Sequence, residues 1–192
     1  NQAGTYDVSL TVTDAFGTST QILNNFITYK DSTSKITSTN NYKQDFEINN
    51  FPPQAWNSPS ASFSWQALTV DTGINCFPNK VTYIDHYNTN KRGDEAYLIS
   101  NKIKLGGGNN AINYLTYDYS YSGFSAAYND GFRIDISTDC GMSWDSIYGA
   151  SGTDLQTTSY QTYEWSPTCN SWQTDSINPV SYTHLRAHET KC

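Results

Sequence analysis

Apolar and polar residues alternate strictly over the first part of the chain. Between residues 4 and 14, every second position from 6 to 12 is apolar, and the positions between them are polar; the apolar residues are Tyr6, Val8, Leu10 and Val12. A period of two is typical of a β-strand with one apolar face. Turn residues follow at positions 15–18, and apolar residues then recur up to Tyr29. Residues 1–30 are therefore predicted to contain a β-hairpin.

Strand-like patterns of the same kind continue through the rest of the chain. Residues 31–44 are polar and predict a linker, whereas aromatic residues become frequent from residue 45 onward. Apolar and polar residues alternate again over residues 112–121 and 132–136. These short patterns are separated by turn signals, and none has the 3.6-residue period of a convincing helix. We therefore predict an all-β fold, with residues 45–178 forming an antiparallel β-sandwich or jelly roll.

Composition and charge limit the kinds of molecule that this protein is expected to bind. Charged residues make up 15% of the chain, aromatic residues another 15%, and the formal net charge is −7. Because a phosphate backbone is bound by clustered Lys and Arg, this charge argues against nucleic acid as a partner. No apolar run approaches the ~18 residues of a membrane-spanning helix, so we expect no membrane insertion. Met142 is the only methionine, and we interpret the chain as an internal fragment of a longer protein.

The last residues, 179–192, differ in composition from everything before them. They contain two of the three histidines. His184 and His188 are spaced i, i+4 with Glu189 beside the second, which resembles a helical zinc site. The same residues, however, are those that one reading frame of a sequencing-library adapter would encode. We interpret this tail as non-native sequence and leave it out of the fold prediction.

Residues 137–144, Ser-Thr-Asp-Cys-Gly-Met-Ser-Trp, have the S-x-D-x-G-x-[ST]-W form of an Asp box. In this hairpin motif Asp139 is expected to accept hydrogen bonds from turn amides, while Gly141 adopts a positive φ. Trp144 begins the return strand and offers a large apolar surface to cover the turn. Together with Ser137, these residues are predicted to stabilise a hairpin, so we interpret the Asp box as structural and not as an active site.

The order of short motifs after residue 45 resembles one family. The motifs F-E, F-P-P-x-x-W, S-x-S-W, D-x-x-x-L-I-S and D-G-x-x-I-x-x-S-T-D-C-G-x-x-W follow one another between residues 46 and 144. This order is similar to the MAM-like jelly-roll modules, related to cleaved-adhesin and choice-of-anchor domains, that follow PKD domains in secreted bacterial proteins. The resemblance covers about residues 45–178, from which we expect the last strands to be missing. Residues 1–30 resemble the C-terminal hairpin of a PKD domain, an immunoglobulin-like sandwich.

This resemblance implies a non-catalytic accessory or adhesion module of a secreted or cell-surface protein. Such a module would bind an extracellular glycan or protein, or would present other domains of the parent chain. An alternative is the accessory C-terminal region of a secreted zinc metallopeptidase of the pappalysin or cytophagalysin type. A weaker alternative is a fragment of a sialidase-like hydrolase, because Asp boxes are common in those enzymes. Sialidases repeat the box around a propeller, however, whereas this chain has a single Asp box, which argues against this alternative.

The resemblance also implies a structural calcium ion. Glu47, Asp94 and Asp130 are the acids that jelly rolls of this kind could place around it, since calcium binds six to eight oxygen ligands. The alternative is that Glu47 is a solvated strand residue, and that Asp94 and Asp130 are turn residues next to glycines. Apart from this calcium ion, no cofactor is expected.

Three cysteines, Cys76, Cys140 and Cys169, remain once Cys192 is set aside with the tail. Cys140 lies in the Asp-box turn and Cys169 shortly before a strand pattern, so we predict a Cys140–Cys169 disulfide. An odd cysteine then remains, either free or paired elsewhere. His86 is interpreted as a loop residue.

The remaining candidate ligand-binding residues are aromatic. If the protein binds a glycan, three tryptophans are the candidates for exposed aromatic residues that contact it: Trp56, Trp65 and Trp165. Three tyrosines share one face of a predicted strand: Tyr117, Tyr119 and Tyr121. They either form a stacking platform for a sugar or face the core, and we predict the core.

Overall fold

The computed structural model describes residues 4–29, 36–37, 42–59, 63–89, 92–105 and 113–179. Regular structure in these residues consists of β-strands and two one-turn 3-10 helices, Gly152–Asp154 and Cys169–Ser171, which confirms the predicted all-β class. The strands are β1 (Gly4–Asp14), β2 (Gly17–Tyr29), β3 (Ile36–Thr37), β4 (Trp56–Asn57), β5 (Gln66–Val70), β6 (Asn79–Tyr83), β7 (Ile99–Ser100), β8 (Ile103–Lys104), β9 (Leu115–Tyr119), β10 (Gly131–Ile136), β11 (Asp145–Ser151) and β12 (Gln173–Ile177).

The strands of the described residues pair two at a time into six small sheets. Five pairs are antiparallel: β1 with β2, β4 with β7, β5 with β6, β9 with β12, and β10 with β11. The short strands β3 and β8 pair in parallel. Predominantly antiparallel pairing of short strands is consistent with the predicted sandwich.

β1 and β2 form the long hairpin that the alternating pattern predicts. Asp14 holds its turn, because the Oδ1 atom accepts hydrogen bonds from the backbone N–H groups of Phe16 at 2.7 Å and Gly17 at 3.0 Å. An Asp side chain that bonds to the backbone two or three residues on favours a tight turn. The side chain of Phe16 itself projects into solvent at the tip, with 99% of its surface exposed.

The two faces of this hairpin differ in polarity. One face carries cross-strand threonine pairs, whose hydroxyls lie 3.0 Å apart for Thr11 with Thr20 and 3.1 Å apart for Thr13 with Thr18. The other face carries the apolar residues of the period-two pattern, and Leu10 on this face is 66% exposed. The hairpin therefore presents an apolar face to solvent, and its exposed β1 members are Tyr6, Leu10 and Val12.

The β9–β12 sheet packs against the β10–β11 hairpin through aromatic rings. The ring centroid of Tyr117 on β9 lies 5.8 Å from that of Phe132 on β10 and 5.6 Å from that of Tyr148 on β11. Tyr119, two residues along β9, has its ring centroid 5.8 Å from that of Tyr117. Burial raises the pKa of both β9 tyrosines. Tyr117 thus packs between the two sheets, where it is partly buried.

Deeply buried side chains lie in segments far apart in the sequence. Among the described residues, the buried apolar side chains other than prolines are Phe63, Val70 and Leu155, which expose 7%, 2% and 5% of their surface. Burying side chains of this size stabilises the fold by roughly 1.5–3 kcal/mol each. The buried hydroxyl of Ser171 accepts a hydrogen bond from the backbone N–H of Thr168 at 2.9 Å, so its burial is compensated.

Cys169 bonds to Cys76, so the predicted Cys140–Cys169 disulfide is wrong. The Cα atoms of the bonded pair are 4.7 Å apart, within the range that a disulfide spans. The segment before β12 is held at the β5–β6 turn by a further contact, because the indole N–H of Trp172 donates to the backbone carbonyl of Thr72 at 2.9 Å. This contact brings together residues that are about as far apart in sequence as the two cysteines, which are separated by 93 positions.

Candidate functional site

Residues 120–130 connect β9 to β10 and gather aromatic and polar side chains at the protein surface; we call them the aromatic loop. The backbone of this loop is tied to the segment after β11. The N–H of Tyr121 donates to the hydroxyl of Thr157 at 2.9 Å, and the N–H of Thr157 donates to the carbonyl of Tyr121 at 3.0 Å. These reciprocal hydrogen bonds fix the start of the loop against a neighbouring segment.

Asp130, the last residue of the aromatic loop, joins three parts of the chain. Its Oδ2 atom accepts a hydrogen bond from the Tyr121 hydroxyl at 3.0 Å, and its Oδ1 atom lies 3.4 Å from Nδ1 of His86. Its backbone carbonyl accepts a hydrogen bond from the N–H of Gly152 at 3.0 Å. The His86 ring packs edge-on against Phe63, with centroids 5.3 Å apart.

The Tyr121 hydroxyl is held in its protonated form in this cluster. Burial raises the pKa of Tyr121, and the negative charge of Asp130 raises it further. The hydroxyl therefore acts as a hydrogen-bond donor and keeps the carboxylate of Asp130 in place. His86 is a loop residue, as predicted, but its pairing with Asp130 could not be read from the sequence, because nothing local connects the two positions.

Phe124 and Tyr128 place two aromatic rings on the outside of the aromatic loop. Their centroids are 5.5 Å apart in an edge-to-face arrangement, and the two side chains are 42% and 47% exposed. The guanidinium carbon of Arg92 lies 5.9 Å from the centroid of the Tyr128 ring, within the range of a cation–π interaction. The surface here combines two exposed rings with a positive charge.

Gly123 allows another tyrosine to lie against the aromatic loop. A Cβ atom at this position would lie 3.3 Å from Cδ1 of Tyr160 and 3.4 Å from the hydroxyl oxygen of Tyr121. The Gly123 carbonyl also accepts a hydrogen bond from the N–H of Gln161 at 3.0 Å. Because Tyr160 is itself 38% exposed, this contact adds a ring to the surface of the loop.

The three acids predicted to bind calcium take different roles. Glu47 is exposed, and its Oε1 atom accepts a hydrogen bond from the backbone N–H of Lys80 at 2.9 Å. Asp94 is exposed and follows Gly93, which has a φ of 79°. Asp130 accepts a hydrogen bond from the hydroxyl of Tyr121. No group of three or more His, Cys, Asp or Glu side chains in the described residues is placed to hold a metal ion. Calcium binding by these acids stays a prediction.

The tryptophans predicted to be exposed are partly buried. The indole N–H of Trp56 donates to the hydroxyl of Tyr42 at 3.1 Å, and that of Trp65 donates to the carbonyl of Ala96 at 3.2 Å. Trp165 is also only partly accessible. All three keep part of their surface accessible, and glycan contact by these tryptophans stays a prediction. The exposed rings of the aromatic loop were missed because a loop has no periodic pattern to mark them.

The Asp box forms the turn between β10 and β11. Asp139 accepts hydrogen bonds from the backbone N–H of Ser143 at 2.8 Å and from its hydroxyl at 2.5 Å, and these bonds lower the pKa of Asp139 to about 2. The hydroxyl of Ser137 accepts a hydrogen bond from the N–H of Gly141 at 2.7 Å. Gly141 has a φ of 85°, and a Cβ there would lie 3.5 Å from the indole of Trp144. The polar side chains of the motif are thus committed to the turn.

Comparison with protein-family models, curated proteins and solved structures finds no match to this chain. The relationship to PKD and MAM-like modules therefore rests on the motif resemblance and stays a prediction. In the part of the chain that the structure describes, no helix has the length and apolar character needed to cross a membrane.

Proposed function

We propose that this chain is a non-catalytic accessory module of a secreted or cell-surface PKD-containing bacterial protein, and that its aromatic loop binds an extracellular glycan. The observation that carries the proposal is the exposed Phe124–Tyr128 pair beside Arg92. The motif resemblance supplies the class of parent protein, and the aromatic loop supplies the candidate binding surface.

The chemistry of this surface suits a sugar ring. Sugar rings present C–H groups on their faces and hydroxyls at their edges, so they are bound by aromatic rings that lie next to polar groups. Phe124 and Tyr128 offer apolar ring surface, and the Tyr128 hydroxyl is a polar group on the same side chain. Arg92 adds N–H donors. Aromatic side chains also lose little conformational entropy on binding, because they have only two side-chain torsions.

The start of the aromatic loop is held in place by hydrogen bonds, and this supports the proposal. A loop that is already ordered loses less conformational entropy when it binds a ligand. Tyr121 is fixed by backbone hydrogen bonds to Thr157 and through its hydroxyl to Asp130. The exposed rings therefore stand on a part of the loop that is already held in one conformation.

An extracellular location is supported by the Cys76–Cys169 disulfide. Disulfides form and persist in oxidising compartments and are rare in the cytosol. This bond joins the β5–β6 turn to the segment before β12. It would therefore stabilise the fold in the oxidising environment outside the cell.

We further propose that the β1–β2 hairpin packs against other strands of a PKD domain in the parent protein. A two-stranded hairpin is only marginally stable in water, and this one exposes Leu10 on its apolar face. In a longer parent chain, the backbone amides of β1 and β2 should exchange with solvent more slowly than in this chain. Equal exchange rates in the two chains would contradict the packing proposal.

Glycan binding is tested by an array of extracellular polysaccharide fragments, followed by calorimetry on the glycans that bind. Phe124→Ala and Tyr128→Ala should each weaken binding about tenfold, which corresponds to ~1.4 kcal/mol. Phe16→Ala is the matched control, because it removes a fully exposed ring at the β1–β2 turn, outside the aromatic loop. Absence of glycan binding, or equal loss in all three variants, would contradict the proposal, and binding of a purified protein instead would assign the loop to a protein partner.

A further inference from the structure

We propose that the glycan bound by the aromatic loop is acidic, and that Arg92 binds its carboxylate. This inference rests on the proposed glycan function and adds the class of ligand. It starts from the position of the Arg92 guanidinium, 5.9 Å from the centroid of the exposed Tyr128 ring.

The charge of Arg92 is available to a ligand. Between described residues, side chains of basic and acidic residues meet at His86 with Asp130 and at Arg133 with Asp135, and neither contact includes Arg92. The two arginines therefore differ: Arg133 donates from Nε to its own strand neighbour at 2.9 Å, whereas Arg92 is an exposed residue above an aromatic ring. A guanidinium stays protonated at any physiological pH.

The contact with Tyr128 places this charge without using its hydrogen-bond donors. A cation above an aromatic ring is attracted by the negative face of the π-system, so the N–H groups of Arg92 remain able to bond elsewhere. A guanidinium has a fork of donors that matches the two oxygens of a carboxylate. A uronic-acid ring lying along Phe124 and Tyr128 would bring its carboxylate next to this fork.

The charges around the loop favour a carboxylate over a phosphate or a sulfate-rich polymer. Asp94 lies two positions after Arg92, Asp130 two positions after Tyr128, and the chain carries a net charge of −7. Repulsion from these acids grows with the charge of the ligand, so a singly charged carboxylate on an otherwise neutral sugar is tolerated better than a doubly charged group. Two exposed rings also add little to the binding of inorganic phosphate, which has no apolar face.

The test compares uronic-acid oligosaccharides with their methyl esters, which keep the sugar and remove the charge. The probes are tetrasaccharides that carry a single glucuronic or galacturonic acid on an otherwise neutral chain, measured by calorimetry at low salt beside the matching neutral tetrasaccharides and inorganic phosphate. At least one free acid should bind about 10- to 100-fold more tightly than its ester, as expected for a hydrogen-bonded charge pair. Arg92→Gln should abolish this preference, so that the free acid and its ester bind the variant equally tightly.

Two matched variants separate a specific contact from a change in net charge. Lys102→Gln removes one exposed positive charge from outside the aromatic loop and should leave the preference unchanged, whereas Asp94→Asn should increase it. An unchanged melting temperature of Arg92→Gln shows that the variant is folded.

The possible failures are distinguishable. If neutral sugars and esters bind through Phe124 and Tyr128 as tightly as the free acids do, the inference about Arg92 is wrong and the glycan function stands. If no glycan of either kind binds, both proposals are wrong. If inorganic phosphate binds as tightly as the acids and is lost in Arg92→Gln, the site is a general anion site and the acidic-glycan inference is overturned.

Discussion

Asp139 and Ser143 are joined twice across the turn of the β10–β11 hairpin. The carboxylate accepts one hydrogen bond from the backbone N–H of Ser143 at 2.8 Å and a second from its hydroxyl at 2.5 Å. One side chain thus satisfies two donors of a residue four positions away. These bonds favour the ionised carboxylate, and they lower the pKa of Asp139 from its ordinary value of 3.8 to about 2.

The β10–β11 turn should therefore lose stability in acid. Because the pKa of Asp139 is lower in the folded chain than its ordinary 3.8, its contribution is fully present above about pH 4 and is lost as the pH falls through about 2. Carboxyl-carbon NMR should give a titration midpoint near pH 2, and the amide shift of Ser143 should follow it. A midpoint close to 3.8 would show that the hydrogen bonds do not form in solution.

The same hydrogen bonds predict the effect of substitution. Asp139→Asn removes the charge that both Ser143 donors contact, so the midpoint of thermal unfolding at pH 7 should fall, and the acid-dependent step should disappear. Asp154→Asn is the control, because this carboxylate is exposed beyond β11 and should leave both properties unchanged. Equal midpoints for wild type and Asp139→Asn would contradict a structural role for the Asp box.

Loss of the Cys76–Cys169 disulfide should destabilise the protein strongly. The bond joins residues separated by 93 positions, and removing such a cross-link from the unfolded chain costs about 4.6 kcal/mol in the chain-entropy description. Urea unfolding of the Cys76→Ala/Cys169→Ala double variant should show this loss. Trp172→Phe removes the hydrogen bond to Thr72 in the same region together with part of the ring surface and should cost at least about 1 kcal/mol, less than loss of the disulfide. A double variant as stable as wild type would contradict the assigned pairing.

The features of this fold that the sequence predicts correctly are strands and turns formed by residues close together in the chain. The period-two pattern of residues 4–14 is a strand from Gly4 to Asp14, and the alternation of residues 132–136 falls within β10. The turn contacts of Asp139 likewise involve residues within four positions. In each case the side-chain pattern and the backbone geometry are set by neighbours along the chain, so a single sequence carries the information.

What the sequence does not predict depends on contacts between distant residues. Cys169 pairs with Cys76 because the segments around them meet in the fold, which spacing cannot reveal. The indole of Trp65 bonds to the carbonyl of Ala96, 31 positions along the chain, and this contact cannot be read from the residues around Trp65. Tyr128 is exposed although aromatic residues are usually buried, and only the course of the loop places Arg92 above its ring.

The calcium prediction has a direct thermodynamic test. If Glu47, Asp94 and Asp130 contribute to one site, calcium at 100 times its dissociation constant should stabilise the folded chain by about 2.7 kcal/mol, and a chelator should reverse the effect. Glu47→Gln should reduce the shift, and magnesium should produce a smaller one because it requires stricter geometry. The same melting temperature in calcium and in chelator would contradict the prediction that these acids bind calcium.

Substitution by alanine should destabilise the protein strongly at Leu155 and hardly at all at Leu10. Leu155 follows the 3-10 helix after β11 and exposes 5% of its surface, whereas Leu10 on the β1–β2 hairpin exposes 66%. Leu155→Ala removes buried apolar surface and leaves a cavity, so it should cost about 2–5 kcal/mol. Leu10→Ala should change the free energy of unfolding by less than about 0.5 kcal/mol, as exposed positions do. Urea unfolding of the two variants decides this, and a comparable loss for Leu10→Ala would mean that the apolar face of the hairpin is covered in solution, by a second copy or by another part of the chain.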